Sequence, residues 1–453
     1  MTTVAMKIKI MFFSVLIIAV GLTACTCKTM PERPNIILII SDDQSWPDYS
    51  FMGHPHIETP RIDQLAAEGL TFTWGYTAAP LCRPALASVA TGLYPHQHKV
   101  IGNDPEFEFG DKPRYREEWM KMRAEMNEPV VAAFEQLPTL ADILGKEGYV
   151  SLQTGKWWEG NPSRGGFTKG MTHGDPARGG RHGDDGLKIG REGMDEIYDF
   201  IEGATADETP FFIWYAPFLP HAPHTPPDSL RDKYLQVAPT EAVANYWAMC
   251  DLFDITCGQL MDYIEEEGLS ENTLFVYVTD NGWIQDPGKP NRFDAMSKTT
   301  PYEMGIRTPM MFRWKGIIEP EMNENNVVSS IDIATTILDI CGIERRPDMQ
   351  GINVLDKEAV TAREAIFAES LAHDFTTVDE SLNFRIIVKL PWKLILADPV
   401  NRPYNPQFYP YEPDGKPQLY NLDEDPYEKV NLAEKNPELV KSLTEEIEKW
   451  WEE

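Results

Sequence analysis

The stretch PNIILIISDD, residues 34–43, sets five consecutive aliphatic side chains, Ile36 to Ile40, between a polar entry and a pair of aspartates. A strand with one face in water alternates apolar and polar residues, whereas a strand that is apolar throughout has both faces covered, as a parallel strand between two layers of helices does. The pattern recurs. Leu274–Val278 (LFVYV) stops at Thr279-Asp280-Asn281-Gly282, and Phe211–Tyr215 (FFIWY) runs into Ala216-Pro217-Phe218-Leu219-Pro220-His221. Helical stretches such as Thr139–Lys146 and Ala242–Glu267 lie between these runs, so the alternation predicts an α/β domain over residues 25–360 with a mostly parallel central sheet. In such sheets ligands gather beyond the carboxyl ends of the strands, where this chain puts Asp42, Asp43, Asp280, Asn281 and His221. From about residue 361 the character changes. Glu364–Ser370, Phe384–Val388 and Trp392–Ala397 read as strands, a polar segment starts at Gln418 and a last helix spans Pro437–Trp451, which predicts a small C-terminal α+β subdomain over 361–453.

The chain has 453 residues, 11% of them aromatic and 25% charged, with no internal repeat, and is globular on those grounds. Its formal charge of −30 excludes nucleic acid as a natural partner. At the start, Lys7 and Lys9 precede the apolar run Ile10–Leu22, which ends in Leu22-Thr23-Ala24-Cys25. That ending resembles a bacterial lipobox and predicts a signal peptide over residues 1–24, cleaved before Cys25. The expected product is an exported lipoprotein, periplasmic or at the cell surface, that meets the membrane only through a lipid on Cys25. Of the six cysteines, Cys250, Cys257 and Cys341 read as small buried apolar residues and not as a disulfide framework.

Asp42, Asp43, Asp280 and Asn281 are hard oxygen ligands, and two neighbouring strand ends would set them around one divalent cation, Ca²⁺ or Mg²⁺; zinc would call for imidazole or thiolate. Either pair alone reads equally well as turn residues. In PLCRPALASVATGLYPHQ, residues 80–97, Pro84 suits the first turn of a helix and Gly92 its end, so Cys82 falls at a helix N-terminus, where the macrodipole favours negative charge. For an isolated cysteine, an inert buried thiol is the commoner outcome.

These residues resemble those of the formylglycine-dependent sulfatases, the type I, arylsulfatase-like branch of the alkaline-phosphatase-like superfamily. The resemblance is carried by Pro34-Asn35-Ile36 with Asp42-Asp43, by Thr59-Pro60-Arg61-Ile62-Asp63-Gln64-Leu65-Ala66, and by Cys82-Arg83-Pro84 leading to Thr91-Gly92-Leu93-Tyr94-Pro95-His96. It continues through Thr154-Gly155-Lys156-Trp157, His221, Thr279-Asp280-Asn281-Gly282, Lys298, Tyr302-Glu303, Arg307-Thr308-Pro309, Leu419-Tyr420-Asn421-Leu422 and Asp425-Pro426. It implies an alkaline-phosphatase-like α/β/α sandwich, and a Cys82 that a maturation enzyme converts to formylglycine, whose hydrate is the nucleophile. It further implies a cation held by Asp42, Asp43, Asp280, Asn281 and residue 82, Lys156 and Lys298 clamping the sulfate, and His221 or Lys298 protonating the leaving alcohol.

The chain departs from the family pattern at two positions: Leu86 stands where an arginine is usual four residues after the cysteine, and Trp158 where a histidine is usual two after the motif lysine. Arg83 is a nearby candidate for contact with substrate. Another source is the glycine-rich segment 161–191, NPSRGGFTKGMTHGDPARGGRHGDDGLKIGR, basic in an acidic chain, which is expected to fold over the site and bring His173, Arg181 or His182 to an anionic substrate. The other reading of this segment is a solvated surface loop. The expected substrate is a sulfated carbohydrate. Hydrolysis of phosphate or phosphonate esters on the same scaffold, and silent binding of sulfated glycans, are the alternatives.

Overall fold

In the computed structural model, which describes residues 33–106, 116–175, 178, 180–375, 377–398 and 415–452, the aliphatic residues of the opening strand divide between two cores. Ile36, Leu38 and Ile40 point into one, with residues of the helices Cys82–Thr91, Leu140–Lys146 and Asp332–Ile340. Ile37 and Ile39 point into the other, with the helices Pro60–Glu68, Asp195–Ala206 and Glu241–Glu266. A strand with helices on both faces has no use for polar positions, and each fully buried Ile or Leu contributes about 1.5–3 kcal/mol.

The strands in chain order are β1 (Asn35–Ser41), β2 (Leu70–Tyr76), β3 (Asp104–Pro105), β4 (Val150–Gly155), β5 (Lys169–Gly170), β6 (Phe211–Ala216), β7 (Thr273–Thr279), β8 (Arg307–Trp314) and β9 (Glu321–Ser329). After them come β10 (Ile366–Leu371), β11 (Asp374–Phe375), β12 (Leu382–Lys389), β13 (Trp392–Ala397) and β14 (Gln418–Asn421). The main sheet has the order β5-β4-β6-β1-β7-β8-β2-β9, and within it only β8 runs against its neighbours. The mostly parallel α/β/α sandwich read from the sequence is therefore the fold observed, with β1 near the middle of the sheet.

A second, antiparallel sheet has the order β10-β12-β13-β14. One face packs Ile366, Phe384, Ile386 and Ile395 with Tyr76, Tyr302 and Ile306, and the other carries Leu443, Ile447 and Trp450 of the helix Pro437–Glu452. β14 lies where the sequence reads only as a polar segment. Its first residue is polar yet buried, because Gln418 Oε1 accepts hydrogen bonds from both Tyr302 and Tyr420 at 2.8 Å.

Cys250 and Cys257 are buried and unpaired, as expected, while Cys341 is half-buried. The leader and Cys25 lie outside the described residues. Among the described residues, no helix is long and apolar enough to cross a membrane.

Candidate active site

Four adjacent parallel strands, β4, β6, β1 and β7, end side by side, and main-chain hydrogen bonds run on beyond them. Lys156 N donates to Ala216 O at 2.7 Å, Asp42 N to Leu219 O at 2.9 Å, Asp280 N to Ser41 O at 2.9 Å and Gln44 N to Asn281 O at 3.1 Å. These bonds draw the strand ends, and the loop that leads to His221, around one point. Asp43 turns the chain out of β1 with φ 65°, a left-handed conformation that aspartate tolerates better than most residues.

The polar side chains then fasten one another. Asp280 Oδ1 accepts from Asn281 N at 2.6 Å and from Asp43 N at 3.1 Å, and Asn281 Nδ2 donates to Asp43 Oδ1 at 2.7 Å. That leaves Asp42 Oδ2, Asp43 Oδ2, Asp280 Oδ2 and Asn281 Oδ1 buried without a hydrogen-bond partner. Orphaned acceptors in a protein interior are costly. Four of them, one from each of Asp42, Asp43, Asp280 and Asn281 and all oxygen, fit a calcium or magnesium ion. Ligand atoms of Asp42, Asp43, Cys82 and His221 also lie within 4.8 Å of one another.

Cys82 begins its helix as expected, and the helix closes at Gly92 with φ 70°. The electrostatic outcome differs from the expectation of a site favourable to negative charge. Burial outweighs the nearby Lys156 and Lys298 and pushes the thiol up to about 12, so the unmodified cysteine is a neutral thiol at physiological pH. Lys156 Nζ lies 2.7 Å from Asp42 Oδ1 and 3.9 Å from Asp280 Oδ2, and Lys298 Nζ lies 2.5 Å from Asp43 Oδ1. Burial works against both ammonium groups, but Asp42 beside Lys156 and Asp43 beside Lys298 override it and raise their pKa values. Burial, reinforced by neighbouring carboxylates, raises Asp42 and Asp280 against the pull of the lysines.

His221 Nε2 is 3.3 Å from Asp43 Oδ2, and its Nδ1 donates to Ala222 O at 2.5 Å. Burial, Lys156 and Lys298 hold the imidazole well below its ordinary value, hence neutral with the proton on Nδ1. Its ring stacks on Phe218 at 4.1 Å. Arg191, the last basic residue of the glycine-rich segment, donates to Phe218 O at 2.6 Å and to His221 O at 2.8 Å and so braces this loop. Its partners are main-chain carbonyls, which leave no signature in a sequence.

The glycine-rich segment reaches the rim of the site in part. His182 packs against Trp158 (5.1 Å between ring centres) and Phe218 (5.5 Å), and its carbonyl accepts from Trp157 N at 3.2 Å. Arg181 lies over the Trp158 ring at 4.7 Å and donates from Nε to Asp104 at 3.1 Å. His173 sits farther along, 3.2 Å from Asp184. Arg164 and Lys188 pair instead with Glu128, Glu135 and Asp185 at the surface.

Arg83 is corrected by the structure. Its Nε and Nη2 hold Glu159 at 2.6 and 2.7 Å, its Nη1 holds Asn127 at 2.6 Å, and the residue is 1% exposed, so its guanidinium serves a buried ion pair and not a substrate. Glu159, next to Trp158, was the acidic partner available in the sequence. Leu86 packs into the core on its side of the sheet.

The sulfatase family profile matches residues 34–343, a span that contains all four strand ends, Cys82 and both lysines. The chain belongs to the sulfatase family. Enzymes of this family hydrolyse sulfuric esters and generally use a metal ion and a formylglycine. A second profile, that of the C-terminal part of N-sulphoglucosamine sulphohydrolase, matches residues 292–453 of this sulfatase. A dog N-acetylgalactosamine-6-sulfatase is 27% identical over 72% of this chain and 66% of its own length, so the match spans just under two thirds of that mammalian enzyme. An N-acetylgalactosamine-6-O-sulfatase from Bacteroides thetaiotaomicron is 24% identical over 94% of this chain and 96% of its own. A structure solved in work on the metabolism of multiple glycosaminoglycans by that bacterium shares the fold, with a TM-score of 0.70, 22% identity and coverage of 92% of this chain and 99% of that one.

Proposed function

We propose that this sulfatase cleaves sulfate esters of a sulfated carbohydrate, using formylglycine at position 82 and a calcium or magnesium ion at Asp42, Asp43, Asp280 and Asn281. What carries the reading is the set of four buried, unpartnered oxygens between two buried lysines and beside Cys82. The named activity of the Bacteroides thetaiotaomicron relative supports a carbohydrate substrate. Bound there, the cation would offset the negative charge of the sulfate oxygens during displacement, and a formylglycine made by a maturation enzyme would supply the attacking oxygen.

The other roles belong to residues of this chain. Asp280 Oδ1 and Asn281 Nδ2 fix the ligand geometry, so that little reorganisation remains when substrate arrives. Lys156 and Lys298, fully charged, bind sulfate oxygens. Lys298, held charged, would hand a proton to the leaving alcohol, which is a poor leaving group without one; His221, neutral with its proton on Nδ1, would do so only after taking a proton on Nε2. Phe218, Trp158 and His182 crowd the rim and exclude water. Residues 25–360 would form the catalytic part and 361–453 the smaller subdomain.

Mass spectrometry of the peptide containing Cys82, from protein made in its own host and assayed for sulfate release, tests the reading. An aldehyde in place of the thiol, with release, is the expected result. An unmodified thiol in protein that releases sulfate would overturn the nucleophile, and unmodified protein that binds sulfated glycans without release would make the chain a binder. We also propose the exported lipoprotein. Labelled fatty acid should appear on the wild type in the membrane fraction and be absent from Cys25→Ser.

A further inference from the structure

A cavity of ≈ 250 Å³, with Asn103, Asp104, Arg123, Trp157, Trp158 and Arg181 in its wall, adjoins the candidate active site. Two connections make it a neighbour of that site. Asn103 Oδ1 accepts from the main-chain N of Arg83, the residue after Cys82, at 3.0 Å, and Trp158 packs on His182 at the rim.

The wall is rich in donors. Arg123 and Arg181 both hold the Asp104 carboxylate, on which Arg181 spends Nε and Nη2 and Arg123 spends Nη2. The indole Nε1 atoms of Trp157 and Trp158 are buried and have no acceptor, and these residues are only 3% and 5% exposed. Guanidinium and indole groups donate and cannot accept, so the complement of this wall is a ligand that offers acceptors and negative charge. Burial lowers both arginines, Arg123 to about 9 with Arg181 adding to the effect and Arg181 to about 10. Among the described residues, Glu128 is engaged by Arg164, and Asp374 adds its charge to the pair without cancelling the effect of burial. In a chain of net charge −30, affinity for an acidic glycan has to be built locally.

We infer that this cavity is a second anion subsite, which takes another acidic substituent of the glycan, a sulfate ester or a uronate carboxylate, while the scissile sulfate occupies the site at the strand ends. The inference rests on the sulfatase reading and deepens it: the preferred substrate class is a doubly acidic carbohydrate. Arg123 and Arg181 supply the charge. The two indoles, held by their packing, supply fixed neutral donors, and Asp104 keeps the guanidiniums in place when the subsite is empty.

The test uses three oligosaccharides with the same scissile sulfate: one with no other acid, one with a second sulfate and one with a uronate in its place. Wild-type protein is expected to favour a doubly acidic member by about tenfold or more in kcat/KM, mainly through KM, and the member favoured identifies the source of the anion. Arg123→Gln should bring the ratio close to one. Trp158→Phe, which removes only the indole donor, should reduce it partway, and Lys357→Gln, on a distant exposed pair with Glu321, should keep it. Equal kcat/KM for all three substrates in the wild type, or a preference that survives both Arg123→Gln and Trp158→Phe, would overturn the inference and leave the sulfatase reading standing. Release of sulfate from none of the three would overturn the sulfatase reading itself.

Discussion

Two clusters of buried charge in this protein start from the same ingredients and end differently. At the strand ends, Asp42, Asp43 and Asp280 meet Lys156 and Lys298. Between the two sheets, Glu303 and Glu428 meet Lys393, with all three residues 0 to 1% exposed. In this second cluster three of the four carboxylate oxygens accept a hydrogen bond, and the fourth, Glu428 Oε1, has the Lys393 ammonium against it as an ion pair. Lys393 Nζ lies 3.0 Å from Glu303 Oε1 and 2.7 Å from Glu428 Oε1, Tyr76 donates to Glu303 Oε2 at 3.1 Å, and Glu303 N donates to Glu428 Oε2 at 2.5 Å. The first cluster leaves three carboxylate oxygens and one amide oxygen without such a partner. Desolvation costs both clusters. One is closed by the protein, so its value is cohesion between the sheets. The other stays open and needs something from outside. Burial and charge alone do not distinguish a site from a clamp; the amount of unmet hydrogen-bonding capacity does, four oxygens against one.

The sharpest way to break this contrast is to replace an oxygen on each side. Asp280→Asn keeps the Oδ1 acceptor and changes only the unpartnered atom; sulfate release should fall by about a thousandfold while the thermal midpoint holds or rises. A marked loss of stability would mean that the open cluster is structural after all. Lys393→Met, in the closed cluster, should do the reverse and cost about 3–5 kcal/mol in a denaturant titration, because it strands two buried carboxylates. Calcium should separate the clusters next. At a hundredfold excess over its Kd it should stabilise the wild type by about 2.7 kcal/mol, stabilise Lys393→Met equally, and do little for Asp280→Asn. The smallest effect concerns pH. Burial, with Glu303 beside it, outweighs Lys393 and holds the Glu428 carboxyl up at about 7 from 4.5, so the fold binds that proton more tightly than the unfolded chain does. The resulting stability is full below about 4.5 and is lost as pH rises through about 7, a decline of a few degrees in thermal midpoint that Glu428→Gln should flatten.

How much of this was legible in the sequence follows from what each residue depends on. β1, β6 and β7 could be read because helices on both faces demand apolar residues at every position, and that demand leaves an unbroken run. Their order in the sheet could not be read, since parallel neighbours are joined by crossovers and Asn35 meets Phe211 across 176 residues. The aspartates were legible as strand-end oxygens, and Lys156, Lys298 and His221 as family positions; the structure brings all of them together. Arg83 was misread because adjacency along a helix is not adjacency in space: one step turns a side chain by about 100°, and this one faces Glu159. β14 was missed because a polar residue, Gln418, is buried at its start. Glu303 and Arg307 stood among the family motifs with no role attached, and their place turns out to be in and beside the closed cluster.

The central position of β1 has a consequence in time. The strand is made well before those that flank it on either side, β6 and β7, which come far later in the chain. At about 5–20 residues per second, the 176 residues between Asn35 and Phe211 take roughly 10–35 seconds to synthesise. For that interval the most apolar strand of the sheet has neither edge paired, and it is an invitation to aggregate unless something sequesters it. Sequestering β1 would therefore matter most during chain elongation and least at the end of folding.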